Sequence, residues 1–310
     1  MRNKSSNIFL HYILELLPLI QYPYFNKIEL GMKLTVLVDN STLIDRYFLG
    51  EPALSFLLQD QDFKLLFDTG YSDAFLHNAR SMDINILDID YIVLSHGHID
   101  HTGGLIPLTQ QYLKARIEQI PVKTPILIAH PDVFKSRIIN EIGDIGSPIS
   151  QHKMAQHCQL NLGKKPYWIN DRLIFLGEIP RLNDFECQDS FAKILNGDSI
   201  EDDNIIDDSS LVYRIDNGLI IIAGCAHSGI CNTIAYARKI CDNAPVLKVI
   251  GGFHMLDASQ YQLDKTVEFL AQLNIMEIYA CHCVDLAAKI ALSRLNNLKQ
   301  VGVGLRLDLN

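Results

Sequence analysis

Three histidines and one aspartate lie within six consecutive residues of this chain. They are His96, His98, Asp100 and His101, in the pattern H-x-H-x-D-H. Residues two apart in an extended segment point to the same side, so His96 and His98 can bind one cation. Asp100 and His101 follow one turn later and face a second position. Imidazole and carboxylate ligands suit zinc, iron or manganese, and two ligand sets favour a two-metal site.

The flanking segments predict where this cluster lies. Asp90–Ser95 reads as a short buried strand, because it is rich in β-branched and aromatic residues and has no helical period. The segment from Gly104 to about Arg116 reads as a helix. A metal ion lowers the pKa of a bound water to about 7 and so supplies hydroxide at neutral pH. The ligands must leave room for that water, so we expect further ligands from other loops.

The cluster resembles the signature of the metallo-β-lactamase superfamily, and further segments of that family follow in the same order. These segments are Phe67-Asp-Thr-Gly70, Gly224-Cys-Ala-His-Ser-Gly-Ile-Cys-Asn232, Gly251-Gly-Phe-His254, Cys281-His-Cys283 and Val301-Gly-Val-Gly304. Together they resemble the branch named after 7,8-dihydropterin-6-methyl-4-(β-D-ribofuranosyl)aminobenzene-5′-phosphate synthase, from about Met32 to the C-terminus. The resemblance implies an α+β fold, a four-layer αββα sandwich with the metals at one edge between two sheets.

The resemblance also implies ligands. It assigns His96 and His98 to the first metal, and Asp100 and His101 to the second. Zinc is the expected ion, two per subunit, with iron or manganese as alternatives.

Two ligands that most superfamily members carry are missing here. An aspartate usually bridges the metals near this strand end, and Cys225 stands in its place; an additional upstream histidine is also absent. We expect His227 to replace these ligands. Cys225 is a candidate thiolate ligand, with a small buried cysteine as the alternative. His282 falls where the superfamily has its last metal histidine, and it completes the predicted set.

Three residues are candidate catalytic residues: Asp100, His254 and Asp68. Asp68 ends a predicted strand and either caps the turn at Gly70 or accepts a hydrogen bond from a ligand imidazole. We expect the second, because such a bond fixes the tautomer of the imidazole. We expect His254 to act as a general acid or to contact the substrate. A metal ligand and a core histidine are the alternatives for His254.

Composition narrows the class of protein. With 310 residues, of which 48% are hydrophobic, the chain can bury a large core. A net charge of −9 argues against a nucleic-acid partner, which would need basic patches, but is compatible with a small anionic substrate held by metal ions. Seven cysteines without a C-x-x-C pair fit free thiols in a reducing compartment. We therefore expect a cytoplasmic protein without a membrane partner.

The domain organisation follows from where the resemblance starts. Residues 1–31 are expected to be a poorly ordered extension, because Ile8–Ile20 is shorter than the about 20 apolar residues of a membrane span and no cleavage site follows. The alternatives are a start codon chosen too early and a membrane-associating helix. Residues 32–310 form the expected catalytic domain, with a loop-rich insertion at about 141–210. Its acidic stretch Asp198–Asp208 is either a solvated loop or part of a lid over the site.

Alternating and periodic apolar residues predict the remaining elements. The predicted strands are Leu34–Val38, Ala53–Gln59, Phe63–Phe67, Pro125–Ala129, Leu211–Ile215, Leu219–Ala223, Val246–Ile250 and Glu277–Ala280. The predicted helices, besides the one after the metal cluster, are Ser72–Met82, Pro131–Asn140, Asn232–Cys241, Tyr261–Gln272 and Asp285–Leu295.

The function that these residues favour is a metal-dependent hydrolase, in which metal-bound hydroxide attacks a small, phosphorylated substrate such as a phosphodiester. The first alternative, implied by the branch name, is a synthase-like transferase that forms a carbon–nitrogen bond in pterin cofactor biosynthesis. A di-iron redox protein is the second alternative. It usually needs more carboxylate ligands and an attached flavin domain, and the sequence shows neither.

Overall fold

The computed structural model describes residues 31–186, 190, 192–197 and 199–310. Residues 32–310 form one compact unit. The extension predicted at residues 1–31 lies, apart from Gly31, outside the described residues.

The described residues contain seventeen strands, most of them short. They are β1 (Lys33–Val38), β2 (Ser55–Gln59), β3 (Lys64–Phe67), β4 (Tyr91–Val93), β5 (Ile126–Ala129), β6 (Arg137–Ile139), β7 (Gly143–Asp144), β8 (Gln159–Leu162), β9 (Tyr167–Trp168), β10 (Leu173–Phe175), β11 (Lys193–Asn196), β12 (Ser199–Asp202), β13 (Ser210–Ile215), β14 (Gly218–Ala223), β15 (Val246–Gly252), β16 (Glu277–Cys281) and β17 (Arg306–Asp308).

Seven α-helices alternate with these strands. They are α1 (Ala74–Ser81), α2 (Ile99–Thr102), α3 (Leu105–Ile117), α4 (Gln151–Met154), α5 (Ile230–Ile240), α6 (Gln260–Ala271) and α7 (Leu286–Ser293), and a short 3₁₀ helix spans Pro131–Phe134. None of the helices among the described residues is both long and apolar enough to cross a membrane.

Two large sheets and one small sheet organise the strands. The first has seven strands in the order β17-β1-β2-β3-β4-β5-β8, and β3, β4, β5 and β8 run parallel. The second has six strands in the order β16-β15-β14-β13-β10-β9, and β14, β15 and β16 run parallel. The small sheet has the order β12-β11-β6-β7. Parallel neighbours within a sheet end at the same edge, so the loops that follow them converge there.

Side-chain alternation along the strands produces four layers. In β14, Ile220 and Ile222 pack with residues of the first sheet, whereas Leu219, Ile221 and Ala223 pack with helices α5, α6 and α7. A third buried cluster joins the other face of the first sheet to α1 and α3. The chain therefore forms four layers, in the order helices, sheet, sheet, helices, and one apolar cluster fills the space between each pair of neighbouring layers. This is the predicted α+β fold, the four-layer αββα sandwich of the metallo-β-lactamase type.

The structure differs from the sequence prediction in two segments. The predicted helix Pro131–Asn140 is a 3₁₀ turn followed by β6, which pairs with β11 and β7. Arg137 of β6 buries its guanidinium against Asp203 and Asp207. The segment 141–210, predicted as loop-rich, carries β7 to β12, and β8 and β10 belong to the two large sheets. These strands have two to four residues each, which is too short for local periodicity to reveal them.

Candidate metal centre

The predicted ligands lie where parallel strands of the two sheets end. The H-x-H-x-D-H loop follows β4, Cys225 and His227 follow β14, and His282 directly follows β16. The chain turns through left-handed residues at these ends, with φ of 53° at Ala226, 48° at His254 and 56° at His282. Left-handed backbone at residues other than glycine is costly and concentrates at functional sites.

Three imidazoles converge on one point. The Nε2 atom of His96 lies 3.0 Å from Nδ1 of His98 and 3.2 Å from Nε2 of His227. All three side chains are buried. Burial lowers the pKa of His96 and of His227, and burial with the Arg137 charge lowers the pKa of His98 to about 4. The rings are therefore neutral at pH 7 and present lone pairs that suit a cation.

A second group of donors faces the first. Nε2 of His101 lies 3.2 Å from Nε2 of His282, and Oδ2 of Asp100 lies 3.6 Å from the former and 3.3 Å from the latter. Burial raises the pKa of Asp100, but His101 and His282 outweigh it and hold that pKa well below the usual range. Burial likewise lowers the pKa of His101, but Asp100 and Asp68 outweigh it and raise that pKa to about 9. The Asp100 and Asp68 carboxylates therefore favour a positive charge, a proton or a metal ion, in the second donor group.

Cys225 lies between the two groups. Its sulfur is 3.3 Å from Nε2 of His101. The same sulfur lies within 4.8 Å of a ring nitrogen of His96 and of His227 in the first group, and of His101 and of His282 in the second. Burial raises the pKa of the free Cys225 thiol. The Cys225 side chain therefore lies within reach of both donor groups.

Hydrogen bonds fix which nitrogen of each imidazole is free. Asp68 accepts from Nδ1 of His101 at 2.7 Å and from the Ser95 hydroxyl at 2.7 Å. Ser95 Oγ lies 3.0 Å from Nδ1 of His96 and can accept its proton. The side-chain oxygen of Asn40 lies 3.3 Å from Nδ1 of His282. This network places a proton on Nδ1 of all three rings, so Nε2 is the nitrogen that each ring would offer to a metal ion. At His101, whose pKa is raised, an ion would displace the proton on Nε2.

The placement of Asp68 agrees with the bond to a ligand imidazole rather than with a cap on Gly70. Its other carboxylate oxygen accepts from the backbone N–H of Ser95 at 2.7 Å. One fully buried carboxylate thus holds both Ser95, at the start of the H-x-H-x-D-H loop, and the ring of His101.

Three further carboxylates hold the ligand loops, and sequence reasoning missed their roles. Asp39 accepts from the N–H of His282 at 3.0 Å. Asp207 accepts from the N–H of Gly97 at 2.8 Å, and Asp208 accepts from the N–H of Ser228 at 2.8 Å. Asp207 and Asp208 belong to the acidic stretch, and both are buried. The prediction of a solvated loop is therefore wrong for these two residues and for Asp203, which is also buried. Glu201 and Asp202 of the same stretch are exposed on β12.

His254 stands beside the first group of imidazoles. Its ring centroid lies 4.1 Å from that of His227, and its backbone N–H donates to the sulfur of Cys283 at 3.1 Å. Its Nδ1 atom is buried and has no hydrogen-bond partner among the described residues. A partly exposed imidazole next to the centre can transfer a proton, contact a substrate or bind an ion.

The donor set fits divalent metal ions. Two groups of three donors, each with a nitrogen or oxygen atom aimed at a common point, match the ligand number and types of zinc sites that keep a position open. Imidazole nitrogens of His96, His98 and His227 lie 3.0–3.2 Å apart, close enough for one cation to bind several of them.

Comparisons with known proteins agree with this geometry. A family model described as the metallo-beta-lactamase superfamily matches residues 49–238. The chain is 30% identical over 274 residues to the 7,8-dihydropterin-6-methyl-4-(beta-D-ribofuranosyl)-aminobenzene-5'-phosphate synthase of Methanocaldococcus jannaschii, covering 84% of this chain and 90% of that protein. An uncharacterized protein of the same organism is 30% identical over 270 residues, covering 87% of this chain and 97% of its own length.

A solved structure shares the fold. Tm1679, described as a metal-dependent hydrolase of the beta-lactamase superfamily, superimposes with a TM-score of 0.74 at 24% identity, covering 90% of this chain and 99% of that one. The family model spans more than half of the 310 residues, and the ligand loops occupy the edge of an αββα sandwich. This chain therefore belongs to the metallo-β-lactamase superfamily.

Proposed function

We propose that the protein is a metal-dependent hydrolase that binds two divalent ions, zinc first among them, and acts on a small phosphorylated substrate. The observation that supports this most is the pairing of the two donor groups around Cys225. His96, His98 and His227 would hold one ion, and the second group would hold the other. When bound, the ions supply Lewis acidity and a lowered pKa for water.

The protein's own residues supply binding and orientation. The Asp68 carboxylate accepts from Nδ1–H of His101 and so holds the ring with Nε2 facing the second donor group. Asp100 contributes negative charge that offsets the charge of the ions, and it is the candidate catalytic carboxylate nearest to solvent, with a side chain 30% exposed. His254 is placed beside His227 and would donate a proton to the leaving group.

A transferase of the synthase type is the second candidate. The 30% identity to the Methanocaldococcus jannaschii synthase over 274 residues favours it. A two-ion centre can orient a phosphorylated substrate for carbon–nitrogen bond formation as well as for hydrolysis. The two candidates share the metal centre and differ in the nucleophile. It is water for the hydrolase, and for the transferase it is the amino nitrogen of an aminobenzene substrate, which displaces a phosphate leaving group from the carbon of the second substrate.

A reconstitution assay tests the proposal. The purified chain would be stripped with a chelator, reloaded with Zn²⁺, Mn²⁺ or Fe²⁺, and assayed with bis(p-nitrophenyl) phosphate and p-nitrophenyl phosphate. The control is the His98→Ala variant, which lacks one donor of the first group. Turnover of either ester that depends on metal and is lost in the variant would support the hydrolase. Absence of turnover with both esters, together with a C–N-linked product and released phosphate from a phosphorylated hydroxymethyl-dihydropterin and an aminobenzene ribosyl phosphate, would favour the transferase.

A further inference from the structure

Two cysteines and one histidine converge beside the two donor groups described above. The ligand atoms of Cys225, His254 and Cys283 all lie within 4.8 Å of one another. His254 and Cys283 belong to neither of the other two groups. We propose that these three residues form a third metal position that selects thiophilic ions.

The backbone explains how the two sulfurs come together. Cys225 follows β14 and Cys283 follows β16, with β15 between these strands in the sheet. A Cβ atom at Gly252 would lie 2.7 Å from Sγ of Cys283 and 3.2 Å from Cα of Cys225. Any larger residue at this end of β15 would therefore push the two cysteines apart. The glycine permits the approach, and the N–H of Gly252 donates to the carbonyl of Gly224 at 2.9 Å.

His254 completes the ligand set. Its backbone N–H donates to Sγ of Cys283 at 3.1 Å, which fixes the sulfur next to the histidine. The backbone of His254 is left-handed, with φ of 48°, and its ligand atom lies within 4.8 Å of both sulfurs. The buried Nδ1 atom, without a hydrogen-bond partner among the described residues, is a donor atom that an ion would satisfy.

The donor types determine the class of ion. Two thiol sulfurs and one imidazole nitrogen prefer zinc and softer ions over magnesium, calcium or manganese, which prefer oxygen. The third position also lies nearer to solvent than the first donor group, since His254 and Cys283 are partly exposed whereas His96 and His227 are buried. An ion bound there would also engage the imidazole that the proposed function uses for protons, so occupancy and turnover would compete at His254.

Cadmium binding tests the third position directly, without a substrate. The full chain, stripped of metal and kept reduced with a phosphine, would be titrated with Cd²⁺ in equilibrium dialysis, while ultraviolet absorption reports cadmium–thiolate bonds. The test variant is Cys283→Ser. The matched control is Cys241→Ser, which changes a buried cysteine at the end of α5. We expect wild type and the control to bind one more Cd²⁺ per chain than Cys283→Ser, and we expect weaker thiolate absorption in Cys283→Ser.

Equal stoichiometry and equal thiolate absorption in wild type and Cys283→Ser would overturn the proposal. If Cys283→Ser does not fold, His254→Gln provides the same comparison, and it must also lose one Cd²⁺. The His98→Ala variant separates this proposal from the proposed function, because it removes a donor that the third position does not use. A one-ion difference between His98→Ala and His98→Ala/Cys283→Ser would support the third position even if no phosphoester is hydrolysed.

Discussion

Replacing Asp68 with asparagine should weaken metal binding by a predictable amount. The carboxylate accepts three hydrogen bonds: from Ser95 N–H, from the Ser95 hydroxyl and from Nδ1 of His101. An asparagine has one acceptor oxygen and one NH₂ group. Whichever way the amide is oriented, its NH₂ faces at least one donor in a site that is fully buried. The conflict is relieved if His101 moves its proton to Nε2, which blocks the atom that should bind the ion.

The magnitude follows from the cost of one unsatisfied buried donor. That cost is about 1–3 kcal/mol, which corresponds to a loss of about 5- to 140-fold in affinity at 1.4 kcal/mol per factor of ten. Removal of an outer hydrogen-bond partner of a metal ligand typically weakens metal affinity or activity by about 10- to 100-fold. The two figures overlap, so we expect a decrease of about one to two orders of magnitude.

The assay is competition for Zn²⁺ between the protein and a chromogenic chelator. The matched control is Asp90→Asn, which changes an aspartate at the opposite end of β4 whose oxygens bond the Lys64 N–H and the Lys123 ammonium. The control should keep the wild-type affinity. An Asp68→Asn variant that folds with an unchanged melting temperature and binds Zn²⁺ as tightly as wild type would refute the role of Asp68 in orienting His101.

Three other perturbations test separate parts of the site and the chain. His98→Ala should lower metal content and abolish activity. His254→Ala should keep the ions of the two donor groups and lower turnover by about 10²–10⁴-fold. Equal metal loss in the two variants would make His254 a ligand of those ions. Deleting residues 1–31, so that the chain starts at Met32, should leave metal content and melting temperature unchanged, and a large decrease in either would show that the extension stabilises the domain. Burial raises the pKa of Asp208 to about 6 from 3.8, so its carboxyl contributes stability at low pH that is lost as pH rises through about 6. Asp208→Asn should therefore gain up to about 3 kcal/mol over wild type between pH 4 and 7, and a difference in unfolding free energy that does not change with pH would contradict this.

The elements that the sequence predicted well have strong local patterns. β14 reads as an unbroken apolar run, and helices α5, α6 and α7 end within two residues of the predicted bounds. The dipeptide Asn217-Gly218 is typical of a two-residue turn between the strands of a hairpin, but in the hairpin of β13 and β14 Gly218 pairs with Ile215, so the turn lies at Asp216-Asn217. Patterns of this kind follow from alternation and helical period, which depend on neighbours in the sequence.

Segment 131–210 could not be predicted in the same way. Arg137 is fully buried because Asp203 and Asp207 lie against its guanidinium, and these residues are about 66 to 70 positions away in the chain. A charged residue in a polar segment usually indicates solvent exposure. The pairing of opposite charges from distant segments reverses that expectation, and a single sequence does not reveal the pairing.

The candidate site also contains one part that the sequence reveals and other parts that only the tertiary structure reveals. The sequence by itself determined the H-x-H-x-D-H loop, because four donors within six residues need nothing beyond a strand end to converge. The tertiary structure alone placed Cys225 between the two donor groups, brought Cys283 to His254, and bonded Asp207 to the Gly97 N–H across 110 residues. These contacts depend on which strands are neighbours in the sheets and on glycines that allow close approach. Both are properties of the packed chain, and no spacing of residues along the sequence encodes them.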